Sequence, residues 1–233
     1  MSFSIQEGEI VGLVGLEGQG QRDVLRTLFG ARPASTGEIL LRGRPLKISS
    51  PGDAIRRGIV FVPEERKEEG LCLSLNMREN IGLATLDRRQ MSGFVSAREE
   101  RELVGEFVKT LRINPPVPSM VVNNLSGGNQ QKVVVAKWLA AEPSILLFSE
   151  PTRGIDVGAK EEMYKLILSL AEQGSGILVV SGDLSEIFRI CRRILVMFEG
   201  RIVKEMMADD VDKEDVLSAM WGLAGKDRGG EEG

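Results

Sequence analysis

Three stretches carry residue types from which chemistry could be built. The first is Gly15-Leu16-Glu17-Gly18-Gln19-Gly20-Gln21-Arg22, set between an apolar run and a helical pattern. Glycines let a backbone curl so that several N–H groups converge on one anion, and a following helix adds the partial positive charge of its N-terminus. That is the setting of a phosphate-binding loop. The full motif ends in Gly-Lys and then Ser or Thr, the lysine reaching the outer phosphates and the hydroxyl taking Mg²⁺. Gln21 and Arg22 fill those two places with an uncharged amide and a cation that repels a divalent metal. The plain alternative is a glycine turn joining a strand to a helix. The second stretch, Ser126-Gly127-Gly128-Asn129, would open another helix with free N–H groups and a small hydroxyl, suited to holding an anion. Its plain alternative is a serine N-cap with two flexible glycines. The third is Glu150, directly after an apolar strand. Its carboxylate could polarise water, or could be a hydrogen-bonded structural group beside Pro151.

Composition removes other chemistries. The 233 residues include no histidine, so no Ser-His-Asp or Cys-His relay and no His-ligated zinc site can be built. The two cysteines, Cys72 and Cys191, match no metal-ligand spacing and suggest a reducing, cytosolic setting. Lys and Arg total 30 against 34 Asp and Glu, a formal net charge of -4, which argues against a nucleic-acid partner. The stretch Met1 to Val14 has no basic segment and carries Glu7 and Glu9, unlike a signal peptide. No apolar run approaches the ~18 residues a membrane span needs.

The elements that must hold these residues alternate. Strands are expected at Ile10–Val14, Glu38–Leu41, Ile59–Val62, Ile145–Phe148, Ile177–Ser181 and Ile194–Phe198. Helices are expected at Gln21–Phe29, Ala97–Leu111, Gly127–Ala140, Ala159–Ala171 and Leu184–Ile190. Leu103, Phe107, Val108 and Leu111 should form the apolar face of the second helix, which the proline-rich Asn114–Ser119 segment should stop. Such alternation implies an α/β fold with a mainly parallel sheet covered by helices. The helical middle reads as an insertion into it.

Leu125-Ser-Gly-Gly-Asn-Gln-Gln-Lys132 resembles the signature motif of ABC transporter ATP-binding domains, in the form written by sugar importers of the ribose, galactose and xylose type. Other stretches follow in that family's order. Ile145 to Ser149, with Glu150 after it, resembles the Walker B strand, and Gly154-Ile-Asp156-Val-Gly-Ala-Lys160 resembles the D-loop. Val62-Pro63-Glu64-Glu65-Arg66-Lys67 stands at the Q-loop, and Ser181-Gly182-Asp183 at the H-loop. The resemblance covers about Glu9 to Trp221.

The resemblance implies the P-loop ATPase fold, with an antiparallel β part and a helical subdomain at about 64–140, in a single unit over 1–225; the charged, glycine-rich residues 226–233 read as a disordered tail. It implies a head-to-tail pair of ATPase domains, in which each lends its signature to the other's nucleotide. Against that pattern the chain's own half-site is degraded. Gln21 stands for the lysine, Arg22 for the hydroxyl, Ser149 for the Walker B aspartate, Glu64 for the Q-loop glutamine and Gly182 for the switch histidine. Phosphoryl transfer depends on positioning and charge neutralisation. ATP is therefore expected to bind weakly or not at all at Gly15, Gly18, Gly20, Gln21 and Arg22, with Glu150 vestigial and no metal site of its own. ATP and Mg²⁺ would instead meet the chain at a partner's site, through Ser126, Gly127, Gly128 and Asn129, with Asp156 nearby.

The expected partners are a second ABC ATPase domain, the N-terminal half of the same natural subunit, and permease subunits that hold the chain on the inner face of the cell membrane. The permease is expected to meet residues 64–86, where Leu71, Leu73, Leu75 and Met77 form either an apolar socket or part of the core, the second being favoured. Only nine residues precede Ile10, with Phe3 the sole aromatic. The family has about two strands and an adenine-stacking aromatic there. A piece of a longer subunit is the expectation, a stand-alone protein the alternative. Two further readings stay open: a regulatory or scaffold module without a productive signature, and a soluble ABC protein of DNA repair or translation.

Overall fold

The computed structural model describes residues 1–91 and 94–223. The expected disordered tail at 226–233 lies outside the described residues. A six-stranded sheet forms the centre, in the order β10-β9-β1-β8-β7-β4. Its strands are β1 (Ile10–Val14), β4 (Ile59–Val62), β7 (Ile145–Ser149), β8 (Gly176–Val180), β9 (Arg193–Phe198) and β10 (Arg201–Met207). All neighbours are parallel except β10, which runs antiparallel to β9. Positions in β1, β4 and β8 are buried throughout, the continuous apolar pattern of strands covered on both faces. Two antiparallel hairpins stand apart: β2 (Ile39–Leu41) with β3 (Arg44–Leu46), and β5 (Gln90–Met91) with β6 (Phe94–Val95).

The helices are α1 (Gln21–Leu28), α2 (Pro51–Arg56), α3 (Met77–Gly82), α4 (Leu86–Arg89), α5 (Ala97–Thr110), α6 (Gly127–Leu139), α7 (Val157–Glu172), α8 (Leu184–Ile190) and α9 (Lys213–Met220). Their starts follow the capping chemistry of the sequence. Ser50, Asn76, Ser96, Ser126, Asp156, Asp183 and Asp212 each accept a backbone N–H of the first turn. Helix α5 turns the expected face to the core, with Val108 and Leu111 buried and Leu103 and Phe107 packed half-exposed against it, and adds Val104 at its centre. Its stop comes before the prolines: Arg112 turns left-handed at φ 50, and the Ile113 amide donates back to the Val108 carbonyl at 3.0 Å, so the helix closes on itself.

Leu71 and Met77 are buried in the core and Leu73 packs against it, while Leu75 is half-buried outside that cluster. Among the described residues, no helix is long and apolar enough to cross a membrane.

Arg193, at the start of β9, ties the sheet to the N-terminal segment. Its Nε and Nη2 donate to the Glu9 carboxylate at 2.7 and 2.9 Å, Nη2 also reaches the Ser4 carbonyl, and Nη1 reaches Glu205 at 2.8 Å. Burial pushes the Glu9 carboxyl up, but the Arg193 hydrogen bonds, the Gln6 amide and the guanidinium charge together leave it below its ordinary value. A lowered carboxyl contributes stability above its unfolded pKa of about 4.3 and loses it as the pH falls through the folded value. The gap in urea midpoint between the wild type and Arg193→Gln is therefore expected to be widest near neutral pH and to shrink below about pH 4.

Candidate functional site

The loops that leave the C-terminal ends of β1, β4, β7 and β8 converge on one edge of the sheet, where ligands of open α/β sheets bind. They carry the glycine loop, Glu64, Glu150 and Gly182 respectively. The loop after β1 turns on two left-handed glycines, Gly18 (φ 82) and Gly20 (φ 104), the latter capping α1. The Gln19 side chain accepts the Glu199 amide and anchors the loop to the β9–β10 turn. Gln21 is folded inward at 7% exposure, and its Nε2 donates to the Leu16 carbonyl at 3.2 Å. A Cβ on Gly15 would lie 2.1 Å from that amide nitrogen and 2.6 Å from the Met197 carbonyl oxygen. The loop is thus closed over its own side chain, and only glycine fits at residue 15.

A chain of charges spans the mouth of the loop. Arg22 Nη2 lies 2.9 Å from Glu64 Oε2, and Arg22 Nη1 lies 4.0 Å from Glu17. Arg153 Nη1 reaches Glu64 at 3.4 Å and Glu65 at 2.9 Å. Burial lifts the Glu64 carboxyl above its ordinary value; the Arg22 and Arg153 charges oppose this, and Glu150 and Glu65 add to it. These residues do not make a divalent-cation donor set. A guanidinium occupies the hydroxyl position, the one nearby carboxylate from β4 is taken by two arginines, and β7 ends in the buried hydroxyl of Ser149. Among the described residues, no group of three or more His, Cys, Asp and Glu side chains could hold a metal.

Glu150 is left-handed at φ 47, with its carboxylate turned onto the loop after β8. Oε1 accepts the Gly182 amide at 2.8 Å, and Oε2 accepts the Ser181 hydroxyl at 3.3 Å. A Cβ on Gly182 would find only Glu150 Oε1 within 4 Å, at 3.6 Å, so the backbone does not demand glycine there. Gly182→His is accordingly expected to fold with a urea midpoint close to that of the wild type. Behind this pair lies Glu186, 1% exposed, its carboxyl raised first by burial, with the nearby Ser181 and Thr152 hydroxyls opposing the rise and the Glu150 and Asp183 charges adding to it. Its place on the inner face of α8, in register with Ile187 and Ile190, was the signal for it in the sequence.

The Ser126 stretch is built differently. Ser126 is exposed and caps α6, accepting from the Asn129 amide at 3.5 Å and from Asn129 Nδ2 at 2.9 Å. Asn129 Oδ1 accepts the Asn114 amide at 2.8 Å. A Cβ on Gly128 would lie 2.7 Å from Ala159 Cβ, so the helix start presses directly on α7, whose N-cap is Asp156. Among the described residues, no hydrogen bond or ion pair joins Ser126–Asn129 to residues 15–22. The polar residues that follow are turned inward. Gln130 Nε2 donates to the Val122 carbonyl at 3.1 Å, and Lys132 Nζ meets Glu162 at 2.6 Å. Lys137 Nζ donates to the Gly70 carbonyl at 2.6 Å, its pKa lowered by burial to about 8. Sequence reasoning passed over Arg66, Arg153 and Lys137, which sit among charged residues indistinguishable from a solvated surface.

The ABC transporter family model matches residues 1–153. The ribose import ATP-binding protein of Oceanobacillus iheyensis is 43% identical over 222 residues, covering 95% of this chain and 45% of that protein. The protein of the same description from Chromobacterium violaceum is 45% identical over 224 residues, covering 96% and 45%. The chain thus spans about half the length of the curated relatives it matches. Among solved structures, a nucleotide-free ATP-binding cassette from an ABC transporter aligns with a TM-score of 0.78 at 19% identity, covering 94% of this chain and 87% of that one. A dimeric bacterial ABC transporter cassette aligns with a TM-score of 0.73 at 25% identity, covering 88% of each chain.

Proposed function

This chain belongs to the ABC transporter family, and we propose that it is the ATP-binding half of a sugar importer whose own nucleotide site is disabled and whose signature completes the site of a partner half. The observation that carries the proposal is an asymmetry. The glycine loop is filled by Gln21 and bridged by the Arg22–Glu64 ion pair, while Ser126 stands exposed at a capped helix start. Ribose-import relatives support the sugar class. In this reading the partner is a P-loop-competent ABC ATPase half, ATP and Mg²⁺ sit on that partner's loop, and Ser126, Gly127, Gly128 and Asn129 close over the γ-phosphate, with Asp156 alongside. Residues 64–140 act as the helical subdomain. Permease subunits dock at residues 64–86, next to a groove of about 250 Å³ lined by Arg26, Phe29, Phe61, Glu69 and Trp138. Glu150, occupied by Gly182 and Ser181, serves as a structural carboxylate.

The isolated chain is expected to release no phosphate from Mg-ATP above the buffer rate, and Gln21→Lys alone to leave it inactive, because Arg22, Ser149 and Gly182 remain. Adding the chain to the P-loop-competent half should raise that half's turnover. Phosphate release by the isolated chain at an ordinary ATPase rate, lost on Glu150→Gln, would overturn the disabled-site reading.

A further inference from the structure

We propose that Arg66 is a positioning residue that locks the start of α6 and the 153–156 loop into one presenting surface; the inference rests on the reading that the chain lends Ser126–Asn129 to a partner. The guanidinium bonds three ways: Nη1 to the Arg153 carbonyl at 2.8 Å, Nη2 to the Gly154 carbonyl at 3.1 Å, and Nε to Gln130 Oε1 at 3.4 Å. Gln130 is itself 3% exposed, so that anchor is fixed. The two segments meet at the guanidinium: a Cβ on Gly127 would lie 2.7 Å from Arg66 Nη2 and 2.8 Å from the Gly154 carbonyl oxygen. Arg66 also opens the wide turn Arg66–Gly70, a form frequent at functional sites. The far end of that turn is held by Lys137, about two helical turns further along α6. Glu69 in the same turn pairs with Arg26 of α1 at 2.7 Å. The turn is therefore fastened to α6 at both ends, and its guanidinium is the fork that reaches across to the 153–156 loop.

A lysine keeps the charge but is a point donor that cannot hold two carbonyls and an amide oxygen in one plane. Arg66→Lys is expected to speed amide exchange at 126–129 and at 153–156 together, with the rest of the chain unchanged. In the assembled pair with the P-loop-competent half, kcat should fall about tenfold, the order expected from a small misplacement of groups around reacting phosphates, with KM for ATP unchanged because the partner's loop binds the nucleotide. Gln130→Leu, which removes one of the three anchors, should loosen the same two segments to a smaller degree and serves if Arg66→Lys does not fold. Faster exchange in only one segment or in neither would overturn the proposal. So would an unchanged kcat in a pair that Ser126→Arg silences. If Ser126→Arg is itself silent, the lent-signature reading falls, and the exchange pattern alone decides the role of Arg66.

Discussion

Replacing Ser126 with arginine is expected to cut ATP turnover in the paired P-loop-competent half by about two to three powers of ten, the order seen when one preorganised donor to a reacting anion is removed. Ser126 is exposed, and its hydroxyl oxygen is the cap of α6. Arginine removes that cap and fills the space where a γ-phosphate would lie, forcing the two halves apart. The cap is worth about 1 kcal/mol. Helix α6 survives its loss because Val133, Val134, Val135 and Ala136 are fully buried and Gln130, Lys132 and Lys137 are bonded inward. The chain should therefore melt close to the wild type while the pair falls silent, and Ser126→Thr, which keeps a hydroxyl, should retain most of the rate. A scaffold that docks without contributing chemistry predicts the opposite: unchanged turnover with Ser126→Arg. A soluble protein of DNA repair or translation predicts salt-dependent binding to DNA or ribosomes, which a chain of net charge -4 is not expected to show.

What the sequence made readable follows the reach of each interaction. Parallel strands buried on both faces are written as short apolar runs, so β1, β4 and β7 to β9 fall within a residue or two of where Ile10, Ile59, Ile145, Ile177 and Ile194 put them. Edges are harder. Strand β10 alternates weakly at Arg201–Met207 because most of its positions face outward, and β3 contains Pro45, which marks it as no interior strand. Helix α9 is announced by Asp212 and Asp215, a capping box that the charged run around it disguises. The candidate site divides in the same way. Positions set by backbone geometry, such as Gly18, Gly20 and the Ser126 cap, were legible from spacing. The Arg22–Glu64–Arg153 network joins the start of α1 to two loops far apart in sequence, and each of these charges taken singly reads as surface.

Restoring the missing groups together, as Gln21→Lys, Arg22→Ser and Ser149→Asp in one chain, is expected to give a loop that binds Mg-ATP where the wild-type loop is expected to bind it weakly or not at all. No single change should do so. Gln21→Lys leaves Arg22 in the metal's place. Arg22→Ser leaves neither a phosphate cation nor a second oxygen for the metal. Ser149→Asp alone buries a carboxylate at a position 2% exposed, beside Glu150, with the Arg22 and Arg153 guanidinium groups already paired to Glu64. The triple variant releases the loop while leaving Glu64 paired to Arg153 at 3.4 Å, so that no acid is stranded by the loss of Arg22. It also stores a signature that is read without any activity assay. The buried aspartate lacks a counter-charge until a divalent ion arrives, at a cost of about 3 to 5 kcal/mol. The empty triple variant should therefore melt below the wild type. Mg-ATP at about 100 times its Kd should return about 2.7 kcal/mol by mass action, and ATP with EDTA far less. The wild type should melt at the same temperature under all three conditions. Turnover should stay absent, because Gly182 offers no imidazole and Glu150 remains bonded to its amide. The space beside Gly182 is open to a side chain, so Gly182→His added to the triple variant is the change expected to bring hydrolysis within reach once the partner's signature is present. If the triple variant melts identically with and without Mg-ATP, the Arg22–Glu64 pair and the inward Gln21 do not set the nucleotide affinity of this loop.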